Sequence, residues 1–200
     1  MITVIDYGAG NLPSVRHALA RVGAPVRVAR DPGSLADASR LVLPGVGHFG
    51  AMMRALDDLR LREILVARIS EGVPFLGICL GMQALYESSD EAPGATGLGL
   101  LPGRIARFDV ALRVPHMGWN SVQPVRPSPL LRGAGHLPYY YFANSYYAPV
   151  GPETTGVCTY GVPFAALVEH GNMWGVQFHP EKSGSTGLQL LRNFVELPSC

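Results

Sequence analysis

The sequence predicts an α/β protein with a central, mostly parallel sheet flanked by helices and antiparallel strands added in the C-terminal half. Three observations carry this. The first half alternates short β-rich runs with helical patterns, the signal for βαβ units and a parallel sheet. One stretch of that half, from Phe49 to Glu71, places apolar residues at broadly helical spacing with arginines and acids on the other face. After Gly94, glycine and proline become frequent and short β-rich runs follow at close intervals, which fits antiparallel strands joined by turns.

In chain order, ITVID at 2–6 reads as a buried strand, followed by the loop YGAGN and a helix over Leu12 to Val22. Pro13 suits that helix's first turn, where its missing N–H costs little. PVRVA at 25–29, RLVLP at 40–44 and VPFLGI at 73–78 are the second, third and fourth strands. Between the last two, Met52, Leu56, Leu59, Ile64, Leu65 and Ile69 mark a core-covering helical region in two pieces. The later strands are expected in GRIARFDV, PYYYF, GVCTYG, FAALVEH and MWGVQF, and a final helix over Gly187 to Glu196.

Composition narrows the function classes. Two hundred residues with 48% hydrophobic content can bury a substantial core, and with no repeat, low-complexity tract or long linker, one domain over 1–200 is expected. Lys and Arg total 16 against 15 Asp and Glu, scattered along the chain, so no nucleic-acid footprint is expected. MITVIDYGAGN carries no basic leader, and no segment reaches about 18 uninterrupted apolar residues, so no membrane partner and a cytoplasmic location are expected. Cys79, Cys158 and Cys200 are an odd number without a pairing pattern, which points to reduced thiols. The histidines at 17, 48, 116, 136 and 170 form no ligand-like pairs, so neither a metal nor a cofactor is expected.

Cys79 follows the strand VPFLGI and opens a run, LGMQALYE, read as helical. Gly77 and Gly81 bracket it as GxCxG, the cysteine form of a nucleophile elbow, in which small neighbours permit a sharp strand-to-helix turn. A thiol at a helix N-terminus is favoured as thiolate, its reactive form. The N–H of Leu80 is one natural oxyanion donor there. Taken alone, Cys79 also fits a small buried hydrophobe. A nucleophilic cysteine needs a base, and the base works better when a third group holds it. His179 follows MWGVQF, and Glu181 stands two residues on, a spacing that can keep both on one side of an extended chain, although taken alone they also fit a hydrogen-bonded loop histidine and a solvated acid. The glycines of PGVG, 44–47, follow the third strand and can turn N–H groups toward an oxyanion, although an ordinary tight turn explains them equally.

GxCxG after the fourth strand, a late HPE and a glycine-rich loop after the third strand together resemble the class I glutamine amidotransferases, from DYGAGN to HPEKS. Within them, DYGAGNL, LPGVGHFG, GICLGMQ, DEAPG, PHMGWN and YFANSYY are similar to the glutaminase subunits of imidazole glycerol phosphate synthases, with PHMGWN the most discriminating. The resemblance implies a flavodoxin-like class I amidotransferase fold. It implies that Cys79 attacks the carboxamide of L-glutamine, that His179 serves the leaving ammonia and then water, and that Glu181 orients His179. Gly47 and Leu80 would stabilise the oxyanion, while Gln83, Glu91, Ser145 and Tyr146 would line the glutamine pocket. The implied partner is a (β/α)8-barrel synthase subunit, met through Asn11, Trp119, Tyr141 and Lys182, with glutamine hydrolysis switched on by ligand binding in the barrel. Members commonly read YFxHSY where this chain has YFANSYY, so Asn144 stands in place of a histidine. Competing expectations are the same chemistry in another biosynthetic pathway, a cysteine hydrolase or redox sensor with a related elbow, and a flavodoxin-like binding module with an inert thiol.

Overall fold

The computed structural model describes residues 1–109 and 111–198. It opens with β1 (Ile2–Ile5), α1 (Leu12–Arg21), β2 (Val26–Ala29), β3 (Leu41–Gly45), α2 (Phe49–Asp58), α3 (Leu61–Ser70) and β4 (Phe75–Cys79). There follow α4 (Leu80–Gln83), β5 (Tyr86–Ser89), β6 (Leu101–Arg107), β7 (His116–Ser121), β8 (Gln123–Pro124), β9 (Tyr139–Asn144) and β10 (Tyr146–Tyr147). The chain closes with β11 (Thr154–Tyr160), β12 (Val162–His170), β13 (Met173–Val176) and α5 (Gly184–Val195).

The main sheet has eight strands in the order β2-β1-β3-β4-β13-β12-β11-β8. Its first five are mutually parallel, a flavodoxin-like arrangement, and the last three are antiparallel additions. β1, β3 and β4 are buried along their whole length, which is why their sequences run apolar rather than alternating. Alternate side chains feed two cores: Leu41, Leu43 and Phe75 pack under α2 and α3, while Val42, Leu76 and Ile78 pack on the opposite face with α1 and α5. Phe49, Met52, Met53 and Leu56 give α2 its buried stripe, and Leu61, Leu65 and Ile69 do the same for α3. The break between them falls at Arg60, which turns left-handed at φ 55°.

Two expectations are corrected. The run after Cys79 is one helical turn, not a helix through LGMQALYE, and Tyr86 already lies in β5. The carbonyls of Ala84 and Leu85, which a continuing helix would use internally, instead accept from the N–H groups of Leu98 and of Leu100 and Leu101. The later strands, moreover, are not all antiparallel additions to the main sheet: MWGVQF yields β13, which lies parallel to β4. GRIARFDV yields β6, which pairs with β5 and β10 in a separate three-stranded sheet, and Val110 at its end lies outside the described residues. PYYYF yields β9, which pairs with β7, the strand formed by PHMGWN. An aromatic cluster of Phe108, His116, Phe142, Tyr147, Tyr160 and Phe164 packs these small sheets onto the main one. Among the described residues no helix is long and apolar enough to cross a membrane.

Candidate active site

The elbow is built by absent side chains. A Cβ on Gly77 would lie 2.5 Å from the carbonyl oxygen of Gly81, and one on Gly81 would lie 1.9 Å from that of Leu43 in the neighbouring β3. Gly45 at the end of β3 meets α4 equally closely, and a Cβ on Gly175 of β13 would be 2.6 Å from Met82. Three adjacent strands therefore each carry a glycine where α4 lies across them. This close seat forces the turn at Cys79, whose φ of 53° and ψ of −109° are strained for a residue with a side chain.

Cys79 lies against a cavity of about 320 Å³ at the C-terminal ends of β3 and β4, as a parallel sheet dictates. The same cavity is lined by Gly47, Leu80, Gln83, Glu91, Ser145, Tyr146, Asn144, His179 and Lys182, so residues spread over a hundred positions converge there. Gly47 holds φ +98°. The preceding carbonyl, that of Val46, accepts from the Tyr7 hydroxyl at 3.5 Å. Burial foremost pushes Tyr7 up to about 12, so this hydroxyl stays a neutral donor.

His179 is 3% exposed, and its Nδ1 lies 2.9 Å from Glu181 Oε1, whose side chain is 1% exposed. The pair does not sit on an extended chain as its spacing suggested: Pro180–Lys182 is a single 3₁₀ turn, begun by the fixed φ of Pro180, and the turn curls Glu181 back under the imidazole. The His179 N–H donates to the Tyr141 carbonyl at 2.8 Å. Ser183 Oγ donates to the His179 carbonyl at 2.6 Å and accepts the Tyr141 N–H at 3.0 Å, pinning the turn to β9. Burial would lower His179, but hydrogen bonds to Cys79 and Glu181 and their negative charge outweigh it and push it up to about 10. The arrangement therefore favours an imidazolium at His179 beside the Cys79 sulfur at neutral pH.

Glu91 Oε2 accepts the N–H of Phe49, the first residue of α2, at 2.7 Å, which anchors Glu91 at the cavity wall. Gln83 Nε2 donates to the Tyr146 carbonyl and to Gln177 Oε1, each at 3.0 Å. Asn144 Nδ2 donates to that same Tyr146 carbonyl at 2.9 Å. Trp119 and Tyr141 face each other across β7 and β9, with ring centroids 6.3 Å apart, and Lys182 Nζ lies 5.7 Å from the Tyr141 ring. Asn11 stands at the start of α1, a helix that packs against the Pro180–Lys182 turn.

Sequence reasoning missed Gln177, Ser183 and Tyr7. Gln177 had a signal, a polar residue inside an otherwise apolar run, whereas Ser183 and Tyr7 act through contacts across the fold. Cys158 is buried on β11, and burial pushes its thiol up to about 12, so it is a packing residue. Cys200 lies outside the described residues.

The family model "Glutamine amidotransferase class-I" matches residues 3–197. Among curated proteins, the imidazole glycerol phosphate synthase subunit HisH of Methanothermobacter thermautotrophicus is 50% identical over 198 residues, covering 98% of both chains. The proteins of the same name from Desulfitobacterium hafniense and Thermus thermophilus are 47% and 49% identical, each over at least 94% of this chain and 93% of their own. Among solved structures, a glutamine amidotransferase aligns with a TM-score of 0.78 at 20% identity, covering 98% of both chains. The structure of PurLQS from Thermotoga maritima aligns at 0.76 and 18%, over 97% of this chain and 96% of that one, a likeness of fold. By family model and by full-length relatives alike, this chain belongs to the class I glutamine amidotransferases.

Proposed function

We propose that the chain is the glutaminase subunit of an imidazole glycerol phosphate synthase, acting as one domain over residues 1–200. It hydrolyses glutamine to glutamate and ammonia through Cys79, His179 and Glu181 and passes the ammonia to a (β/α)8-barrel subunit. The barrel would use it to make imidazole glycerol phosphate and an aminoimidazole carboxamide ribotide in histidine biosynthesis. The observation that carries this reading is the buried His179–Glu181 pair beside a strained Cys79 at the mouth of one cavity. The curated relatives of about half identity, named as that synthase's subunit, support the pathway. The odd number of cysteines, with Cys79 and Cys158 unpaired among the described residues, supports a cytoplasmic enzyme.

In this reading the Cys79 thiolate attacks the carboxamide carbon, and the electron pair of the C=O moves onto oxygen, facing the backbone N–H groups of Gly47 and Leu80. The C–N bond then breaks as His179 gives its proton to the nitrogen, ammonia leaves, and a glutamyl thioester remains. With the sulfur acylated, the Cys79 share of what raised His179 is gone and that of Glu181 remains, so the imidazole is held less strongly as the cation and can accept a proton from water. The hydroxide attacks the thioester, the C–S bond breaks, and glutamate and the thiolate–imidazolium pair are restored. Glu91 would meet the α-ammonium of glutamine, and Gln83, Ser145 and Tyr146 the rest of the substrate, a reading supported by their shared lining of the cavity beside Cys79. Trp119, Tyr141 and Lys182 form the docking face for the barrel, with Asn11 at its margin.

The test is glutamate release from glutamine by this chain alone, then with its barrel partner and the nucleotide ligand. Hydrolysis is expected to be strongest in the ternary mixture. Cys79→Ala should abolish glutamine-dependent synthesis and leave ammonia-dependent synthesis intact. Loss of both activities together would refute the ammonia-transfer model.

A further inference from the structure

α4 is four residues long, so it supplies little dipole to a thiolate. Another donor stands beside the sulfur. Gln177 is fully buried, and its Nε2 lies 3.6 Å from Cys79 Sγ, within reach for an N–H···S hydrogen bond. The direction of this amide is fixed by a chain of partners. The Tyr146 carbonyl can only accept, so the Gln83 atom facing it must be its NH₂ nitrogen. That nitrogen's second hydrogen points to Gln177, so the Gln177 atom facing Gln83 must be its oxygen. The remaining end of the Gln177 amide, its NH₂, is thereby turned to Cys79. A buried amide facing a sulfur in this way prefers the ion, because it is a donor with a hydrogen still to give.

We propose that Gln177 is a positioning residue of the glutaminase reaction: its amide, oriented by Gln83 and Tyr146, donates to the Cys79 sulfur and holds it as an aimed thiolate. The proposal rests on the reading of Cys79 as the nucleophile. It also gives Gln83 a part beyond lining the pocket, since the same side chain that meets the substrate cavity sets the direction of the donor behind the nucleophile.

Alkylation of Cys79 by iodoacetamide in the full-length chain, followed by peptide mass spectrometry from pH 5 to 10, tests this without glutamine. Gln177→Glu keeps the shape and the acceptor for Gln83 but replaces the donor facing sulfur with a negatively charged oxygen. Gln177→Met removes the donor alone, and Gln83→Met frees the Gln177 amide to turn. The inflection of the alkylation rate is expected to rise by about one pH unit in Gln177→Met, the size of one hydrogen bond to an ion, and by more in Gln177→Glu. Gln83→Met should move it in the same direction by less. At pH values below the inflection, kcat/KM for glutamine should fall by up to about tenfold in Gln177→Met and recover as pH rises past the shifted inflection, which a merely structural role would not produce. Circular dichroism selects the folded variants, any one of which decides the question. An unmoved inflection would overturn the role of Gln177 and leave the glutaminase reading standing. A shifted inflection in a chain that never releases glutamate would sink the glutaminase reading and keep the contact.

Discussion

Gly81→Ala tests whether the elbow depends on the absence of a side chain. The new Cβ would sit 1.9 Å from the Leu43 carbonyl oxygen, where ordinary contact begins at 3.4 Å, so about 1.5 Å of separation must be found. Neither partner is a flexible side-chain tip. Leu43 lies within β3, paired to Gly77 of β4, and β3 is held on its other edge by β1, so the relief must come from α4. Overpacking of this kind costs about 2–3 kcal/mol. For a chain of this size that lowers Tm by roughly 4–12 °C. Because α4 carries Leu80 and begins at Cys79, a displacement near 1 Å should also cost about 10²-fold in glutamine hydrolysis. Gly23→Ala is the control: Gly23 has φ +80° but nothing within 4 Å of its would-be Cβ. It should lose about 1 kcal/mol from the left-handed backbone and no activity. Thermal unfolding and glutamate release in the ternary mixture read both effects. A Gly81→Ala protein with unchanged Tm and unchanged rate would refute the argument that α4 is seated by glycine contacts.

Further outcomes follow from the same geometry. Glu181→Gln keeps the shape beside His179 Nδ1 but removes the charge that helps raise it, so glutamine-dependent synthesis should fall by about 10²–10⁴-fold while ammonia-dependent synthesis is unchanged. His116 stacks on Phe142 and Tyr160, and burial lowers it from 6.5 to about 4. Between those values the unfolded chain binds a proton that the folded chain refuses, so stability falls as pH drops from 6.5 to about 4, by about 2–3 kcal/mol. His116→Phe keeps the stack and should flatten that part of the stability curve measured by urea unfolding; an unchanged slope would exonerate His116. Trp119→Ala removes a 56% exposed ring packed on Tyr141, and calorimetric titration with the barrel subunit should show a Kd weakened by about 30-fold. Unaltered affinity would move the docking face elsewhere.

Much of the fold was legible because local chemistry repeats along the chain. The apolar strands of the first half, the stripe through α2 and α3 and the bracketing of Cys79 by Gly77 and Gly81 need only neighbours in sequence to be read. The later strands were legible as strands but not as partners. A run of β-rich residues says that β6 and β9 are extended; it does not say which edge each will join, and these two of the five expected additions to the main sheet went to small sheets instead. His179 and Glu181 were paired correctly by proximity in sequence, yet the shape that joins them is a turn set by Pro180.

The sequence by itself carried the parallel α/β core, the glycine-bracketed elbow at Cys79 and the neighbourhood of His179 and Glu181, since each is specified by residues a few positions apart. Only the tertiary structure decided where the helix after Cys79 ends, because Ala84 and Leu85 give their carbonyls to the distant segment around Leu98. Only the tertiary structure placed the Gln177 amide on the sulfur, because its direction is inherited from Gln83 and Tyr146. Backbone acceptors and side-chain amides go to whichever partner the folded chain brings within reach, and that choice is not written in the spacing of the residues that make it.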